Sequence, residues 1–337
     1  MRNRMAALLS LVFAPLLFGA KTLDIYFVDV EGGQATLFVS PSGESMLVDT
    51  GWSGFNSRDA GRIAAAAKKA GVKKIDYLVI THYHEDHVGG VPQLAAKLPI
   101  RTFVDHGSSV ETGKRADYLF KAYAAEQEKG THLEVRPGDK IPIKGLEVTV
   151  LTAGGKEIAN PLPGAGKPNP ACASFQPKPQ DPSENARSLG TLITYGNFRI
   201  IDLGDLTWNK EHDLVCPANK VGTVDVYLTT HHGMDLSGPD VIVHALEPRV
   251  AIMNNGARKG GSPQAWQTIR KSRGLEDIWQ IHYAVEGGKE NNAGDMFIAN
   301  TDENCQGNWI KLEAMKDGSF TVTNSRNRYS KTYKPRS

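Results

Sequence analysis

Residues 75–87 constrain this chain most. An apolar stretch, Ile75 to Ile80, reads as a buried strand, and it runs directly into Thr81-His82-Tyr83-His84-Glu85-Asp86-His87. Three imidazoles and two carboxylates thus fall in seven positions at a strand end. On an extended segment His82 and His84 point the same way, being two residues apart. If the chain turns into a helix at Glu85, then Asp86 and His87 swing toward the same point. Imidazole and carboxylate suit zinc, and also iron or manganese.

The rest of the composition agrees. Ten histidines stand against three cysteines in 337 residues, which excludes a disulfide scaffold and a cysteine-only zinc site. A hydrophobic content of 40% and a charged content of 23% are those of a globular protein. The net charge of +2 gives no case for a dedicated nucleic-acid binder.

Residues 1–20 read as an export signal. Arg2 and Arg4 form a positive head, Met5 to Phe18 is apolar, and Gly19-Ala20 are small. The expected product is a periplasmic or secreted protein with no stable membrane span after signal removal. Cys172, Cys216 and Cys305 allow one disulfide and one leftover thiol, and spacing does not choose the pair.

Residues 21–337 read as one α/β domain. Strands are expected at Leu23–Val30, Ala35–Val39, Ser45–Val48, Ile75–Ile80, Leu146–Leu151, Gly190–Tyr195, Phe198–Leu203, Val224–Leu228 and Val250–Met253, with short tail strands at Ile278–Tyr283, Met296–Ala299, Trp309–Ala314 and Phe320–Thr323. Helices are expected from Asp59 to Gly71, over Val91–Leu98 and Lys114–Lys129, and after Thr207, Pro239 and Ser262. Both halves run strand, strand, then helix with strand, which suggests two packed sheets with outer helices. Residues 154–185 are rich in proline and glycine, and read as a long loop, either a solvated linker or a lid over a cleft.

His82-x-His84-x-Asp86-His87 resembles the HxHxDH signature of the metallo-β-lactamase superfamily. Asp49-Thr50-Gly51, Leu203-Gly204-Asp205 and His231-His232-Gly233 are similar to further motifs of that family, in the same order. Val28-Asp29-Val30, Asn185-x-x-Ser188 and the paired histidines resemble most the hydrolase domain of ComEC-type competence proteins and related phosphodiesterases. The resemblance covers roughly residues 23–263. It implies an αββα sandwich with one or two Zn²⁺ ions at one edge, Mn²⁺ or Fe²⁺ being alternatives. His82 and His84 would hold one metal; Asp86, His87 and His232 would hold the second; Asp205 would bridge.

The function so implied is an exported hydrolase that uses a metal-bound hydroxide on a phosphodiester-type bond of a small molecule or polymer. Asp86, Asp205 and His231 would act in catalysis, with His231 facing an anionic oxygen. Asp49 would support the ligand loop, while Asn185, Ser188 and Asn255 are expected to touch substrate or ligands. The family's further metal histidine is missing, because none lies between His132 and His212. His106 reads mainly as a surface-loop residue, and His244 and His282 as structural. Asp29 and Glu31 read as turn residues. A β-lactamase or lactonase, and a metal-stabilised binding protein without catalysis, are the alternatives. No G-x-S-x-G, S-x-x-K or glycine-rich phosphate loop offers competing chemistry.

Overall fold

The computed structural model describes residues 21–336, so the export-signal segment lies outside the described residues. The first part of the chain forms β1 (Leu23–Phe27), β2 (Thr36–Val39), β3 (Ser45–Val48), β4 (Ile75–Val79), β5 (Ile100–Asp105) and β6 (Thr131–Glu134). The middle forms β7 (Lys140–Ile141), β8 (Glu147–Ala153), β9 (Lys156–Glu157), β10 (Gly190–Tyr195), β11 (Phe198–Asp202), β12 (Val226–Leu228), β13 (Val250–Met253), β14 (Asp277–His282) and β15 (Ile298–Asn300). The tail adds β16 (Ile310–Ala314), β17 (Phe320–Asn324) and β18 (Ser330–Tyr333).

These strands make two nine-stranded sheets. The first runs β18-β17-β16-β1-β2-β3-β4-β5-β6; the second runs β15-β14-β13-β12-β11-β10-β8-β7, with β9 on β8. Each sheet is antiparallel on one side and parallel on the other, from β3 to β6 and from β11 to β15. The residue pattern follows this division. The parallel strands β12 (VYL) and β13 (VAIM) are buried throughout, as strands covered on both faces must be. The antiparallel β16 and β17 alternate buried and half-buried positions, because one face meets the core and the other meets solvent.

Seven helices complete the described chain: α1 (Arg58–Lys69), α2 (Glu85–Val88), α3 (Val91–Ala95), α4 (Lys114–Gln127), α5 (Trp208–Val215), α6 (Asp240–Leu246) and α7 (Pro263–Arg270). A central apolar cluster lies between the sheets. A second cluster joins α1, α3 and α4 to the first sheet, and a third joins α5, α6 and α7 to the second. The result is the αββα sandwich. In α1 the buried stripe is Ala60, Ile63, Ala66 and Ala67, one face of a helix. Helix α7 is capped by Ser262, whose hydroxyl accepts from the Ala265 amide at 3.2 Å. Ser262→Ala should cost about 0.5–2 kcal/mol of stability, read by urea unfolding.

Residues 154–185 differ from the expected loop. They contain β9 and 3₁₀ turns at Pro170–Ser174 and Glu184–Arg187. Cys172 pairs with Cys216, leaving Cys305 as the free thiol. Phe175 stacks on His212 with ring centroids 4.2 Å apart, and Asn169 donates to the Val241 carbonyl at 2.9 Å. The segment is therefore fastened to α5 and α6 instead of standing free as a solvated linker.

Candidate metal centre

Both sheets present the carboxyl ends of their parallel strands at one edge. Asp49 follows β3, His82 to His87 follow β4, and His106 follows β5. From the other sheet, Asp205 follows β11, the His231-His232 pair follows β12, and Asn254-Asn255 follow β13. Strand ends are where open α/β sheets place their ligands, since the loops there are free to vary.

Four side chains converge most closely. The ligand atoms of Asp86, His87, Asp205 and His232 lie within 4.8 Å of one another, and all four residues are buried. His87 Nε2 lies 3.3 Å from Asp86 Oδ2 and 3.3 Å from Asp205 Oδ2. His232 Nε2 lies 3.3 Å from Asp86 Oδ2 and 3.3 Å from Asp205 Oδ1. The two Nε2 atoms face each other at 3.3 Å. His231 Nε2 is 3.3 Å from Asp205 Oδ2, and His82 Nε2 is 4.0 Å from the same atom. Asp205 thus stands between both groups of histidines.

Backbone geometry makes this convergence possible. His231 and His232 both adopt left-handed φ values, 55° and 56°, which turn the two rings inward. Asp49 does the same at φ 60°. Such conformations are strained for residues with a Cβ and persist only where surrounding contacts hold them. Two glycines are required by close approach. A Cβ on Gly33 would stand 2.4 Å from the Asp86 carbonyl, and one on Gly260 would stand 2.1 Å from the His232 carbonyl.

A set of supporting groups sets each ring. His87 Nδ1 donates to Asp49 Oδ2 at 2.7 Å, which leaves Nε2 for the centre. Asp49 also accepts from the Thr81 amide and hydroxyl, at 2.8 and 2.7 Å. His84 Nε2 lies 3.1 Å from Glu111 Oε1, leaving Nδ1 as its available nitrogen. The His84 ring sits edge-on to His82, with centroids 4.7 Å apart. His231 Nδ1 rests on the Ser237 hydroxyl at 3.2 Å. Ser188 Oγ accepts from the Asp205 amide at 3.3 Å. Carboxylates and hydroxyls of this kind fix the tautomer and raise the basicity of ligand imidazoles. Glu111→Gln should weaken metal affinity by about 10–100-fold, measured by competition with a chelator.

The residues fit a divalent cation. His82 Nε2 and Asp205 Oδ1 are buried with no hydrogen-bond partner among the described residues, an expensive state for two polar atoms aimed at one place. Burial drives His82 well below its ordinary value, toward the neutral form that coordinates. Burial opposes ionisation of Asp205, but His232, His87 and His231 outweigh it and hold that carboxyl far below the usual range. Two imidazoles and two carboxylates are donors that zinc, iron or manganese would take.

Other expected residues fall differently. Asn255 is fully buried and spends its side-chain N–H groups on the Gly256 and His282 carbonyls, so it braces the loop after β13. Asn185 lies in the 3₁₀ turn beside Glu184, and its Oδ1 is buried without a partner among the described residues. His106 is not a surface residue: its buried ring contacts the buried Glu184 at 3.0 Å. Asp29 is more than a turn residue, because it is buried against Arg62 and His282.

The sequence reading missed Lys259, Glu111, Gln34 and Asp202. Lys259 Nζ contacts Asp86 Oδ2 and lies 4.9 Å from the centre of the Trp52 ring. Gln34 Nε2 donates to both oxygens of Asp202, at 3.0 and 2.8 Å, and Gln34 Oε1 accepts from Asn254 at 3.2 Å, tying the sheets together. The only sequence signal for Lys259 is a lone lysine in the glycine-rich stretch after β13.

A two-sheet sandwich with a buried histidine–carboxylate set at its edge defines the class. Residues 28–167 match the family model described as the metallo-beta-lactamase superfamily. Among curated proteins, it is 29% identical over 190 residues to ComE operon protein 3 of Bacillus subtilis (strain 168), covering 55% of this chain and 20% of that protein. It is 35% identical over 100 residues to a hydroxyacylglutathione hydrolase of Rhodopseudomonas palustris (strain HaA2), covering 30% of this chain and 32% of that one. The chain therefore spans a third or less of the curated relatives it matches. Among solved structures, the metallo-beta-lactamase fold protein YhfI from Bacillus subtilis aligns at TM-score 0.47 and 12% identity, over 77% of this chain and 96% of that chain.

Proposed function

We propose that this protein is an exported, metal-dependent hydrolase of phosphodiester-type bonds, with residues 21–337 acting as one domain. The observation that carries the reading is the buried convergence of Asp86, His87, Asp205 and His232. These four would hold one ion; His82 and His84, with Asp205 bridging, would hold a second. A divalent ion there supplies Lewis acidity and acidifies water at neutral pH. The protein's own groups do the rest. Asp49 and Glu111 orient His87 and His84. Ser237, whose hydroxyl donates to the Leu206 carbonyl and accepts from His231 Nδ1, orients His231 with Nε2 at the centre beside Asp205. Lys259 adds a cationic group beside Asp86. That cation favours a substrate that carries negative charge next to the bond to be cut.

Export is supported by the Cys172–Cys216 disulfide, since such bonds persist in oxidising compartments. Among the described residues no helix is long and apolar enough to cross a membrane.

The test is a panel of substrates with zinc or manganese: bis-p-nitrophenyl phosphate, nitrocefin, a chromogenic lactone and a hydroxyacylglutathione. Turnover of the phosphodiester, lost on chelation, is expected. Turnover of the hydroxyacylglutathione alone would favour the activity named for the Rhodopseudomonas relative. Turnover of nitrocefin or the lactone alone would overturn the phosphodiester reading.

A further inference from the structure

A second cluster of metal-ligating groups lies on the far side of the turn that supports Asp86. Asp29 comes from the turn after β1, His282 from the end of β14, and Cys305 from the connection between β15 and β16. His282 Nε2 lies 2.7 Å from Asp29 Oδ1. Cys305 Sγ lies 3.0 Å from Asp29 Oδ2 and 3.9 Å from His282 Nε2. Ligand atoms of all three residues fall within 4.8 Å of one another. Glu31 Oε1 is 3.7 Å from the sulfur and makes a fourth oxygen donor available. Asp29 and His282 are fully buried.

We infer that Asp29, His282 and Cys305, with Glu31 beside them, form a separate binding site for a thiophilic divalent cation such as zinc. Thiolate, imidazole and carboxylate together are the donor set such a cation selects, and magnesium or calcium would not choose it. Binding breaks the Cys305 S–H bond, forms a sulfur–metal bond and releases the proton to solvent. Charge then balances. The cation offsets Asp29 and the Cys305 thiolate, replacing Arg62, which in this structure lies 2.9 Å from Asp29 Oδ2 and 3.4 Å from the sulfur and must withdraw as the ion enters, while Arg58, 2.8 Å from Glu31, offsets Glu31.

The site would act as a clip. It joins three segments that are 253 and 276 residues apart from Asp29 in the chain. Two of them lead to the first centre. The turn from Asp29 runs through Gly33 to Gln34, whose amide donates to the Asp86 carbonyl at 3.1 Å. His282 is gripped by Asn255, and the adjoining loop reaches the His232 carbonyl through the Gly261 amide at 3.0 Å. An ion here would hold the two walls of the first centre together without touching substrate.

Cobalt(II) tests this on the full chain, independently of catalysis. The first centre has no sulfur donor, and the other two cysteines are paired. A thiolate-to-cobalt charge-transfer absorption in the near ultraviolet therefore reports Cys305 alone. The wild-type protein should show it and bind one equivalent of cobalt more than the first centre takes, and Cys305→Ser should lose both the band and that extra equivalent. In wild type, zinc should slow the reaction of Cys305 with a disulfide thiol reagent roughly tenfold, and a chelator should restore it. Absence of the band with excess cobalt, its survival in Cys305→Ser, or thiol reactivity unchanged by zinc would each overturn the inference.

Discussion

Asp205→Asn should lower turnover at least about 10³-fold, or roughly 4 kcal/mol of transition-state stabilisation. The substitution keeps the side-chain volume but removes one negative charge and one lone-pair oxygen. That carboxylate lies within 3.3 Å of ring nitrogens of His87, His231 and His232. Without it His82 and His231 lose the one carboxylate within 4.0 Å of them among the described residues, while His232 keeps Asp86 and His87 keeps Asp86 and Asp49. Metal content per chain, measured after dialysis against a weak chelator, should fall together with activity. The fold should survive, because Asp205 sits beyond the end of β11 and takes no part in the apolar clusters. A variant that retains full metal and full turnover would remove Asp205 from the centre.

Glu184→Ala should destabilise the protein by about 3–5 kcal/mol, because it strips a fully buried carboxylate from the three donors that it serves. Glu184 is fully buried. Its carboxylate receives the Val110 amide at 2.8 Å, the Tyr83 amide at 3.3 Å and the His106 ring at 3.0 Å. Truncation leaves all three without a partner, and each unsatisfied buried donor is itself costly. The pH dependence has a definite sign. Burial would raise the Glu184 carboxyl, but His106 and the two amides outweigh it and hold it below its ordinary value of 4.5. A depressed carboxyl contributes stability above its unfolded value, and that contribution is lost as pH falls through the folded value. The gap between wild type and Glu184→Ala should therefore be full at pH 7 and should narrow in acid below about pH 4.5. Urea unfolding at pH 7 and pH 3.5 measures it. An unchanged gap would mean that packing, and not the carboxylate's charge, is what Glu184 supplies.

Much of the sandwich was legible because its signals are local. Ser45–Val48 and Val250–Met253 form strands with those same bounds, and Lys114 begins α4 as the pattern indicates. Apolar runs of four or five residues between turn signals are hard to mistake when they end in glycine or charge. The tail was read less well. Met296 and Phe297 sit in a 3₁₀ turn, and β15 begins only at Ile298. The edge strand β18 was missed, since Ser330-Lys331-Thr332-Tyr333 carries almost no apolar alternation and is held by pairing with β17.

The site divides along the same line. Sequence by itself determined the chemistry: histidines and carboxylates at strand ends, clustered so densely that a cation is their natural partner. It also carried the resemblance to the metallo-β-lactamase superfamily, through motifs that keep their order. Only the tertiary structure decided which groups aim those ligands. Glu111 reaches His84 across 27 residues, Lys259 reaches Asp86 across 173, and Gln34 reaches Asp202 across 168. It also moved His106 from the surface into a buried pair with Glu184, and it chose Cys216 as the partner of Cys172. The physical reason is the range of the interactions. Strand and helix patterns are set by neighbours within a few residues. A hydrogen bond between distant side chains depends on how two sheets twist and pack, and that arrangement leaves no periodic mark along the chain.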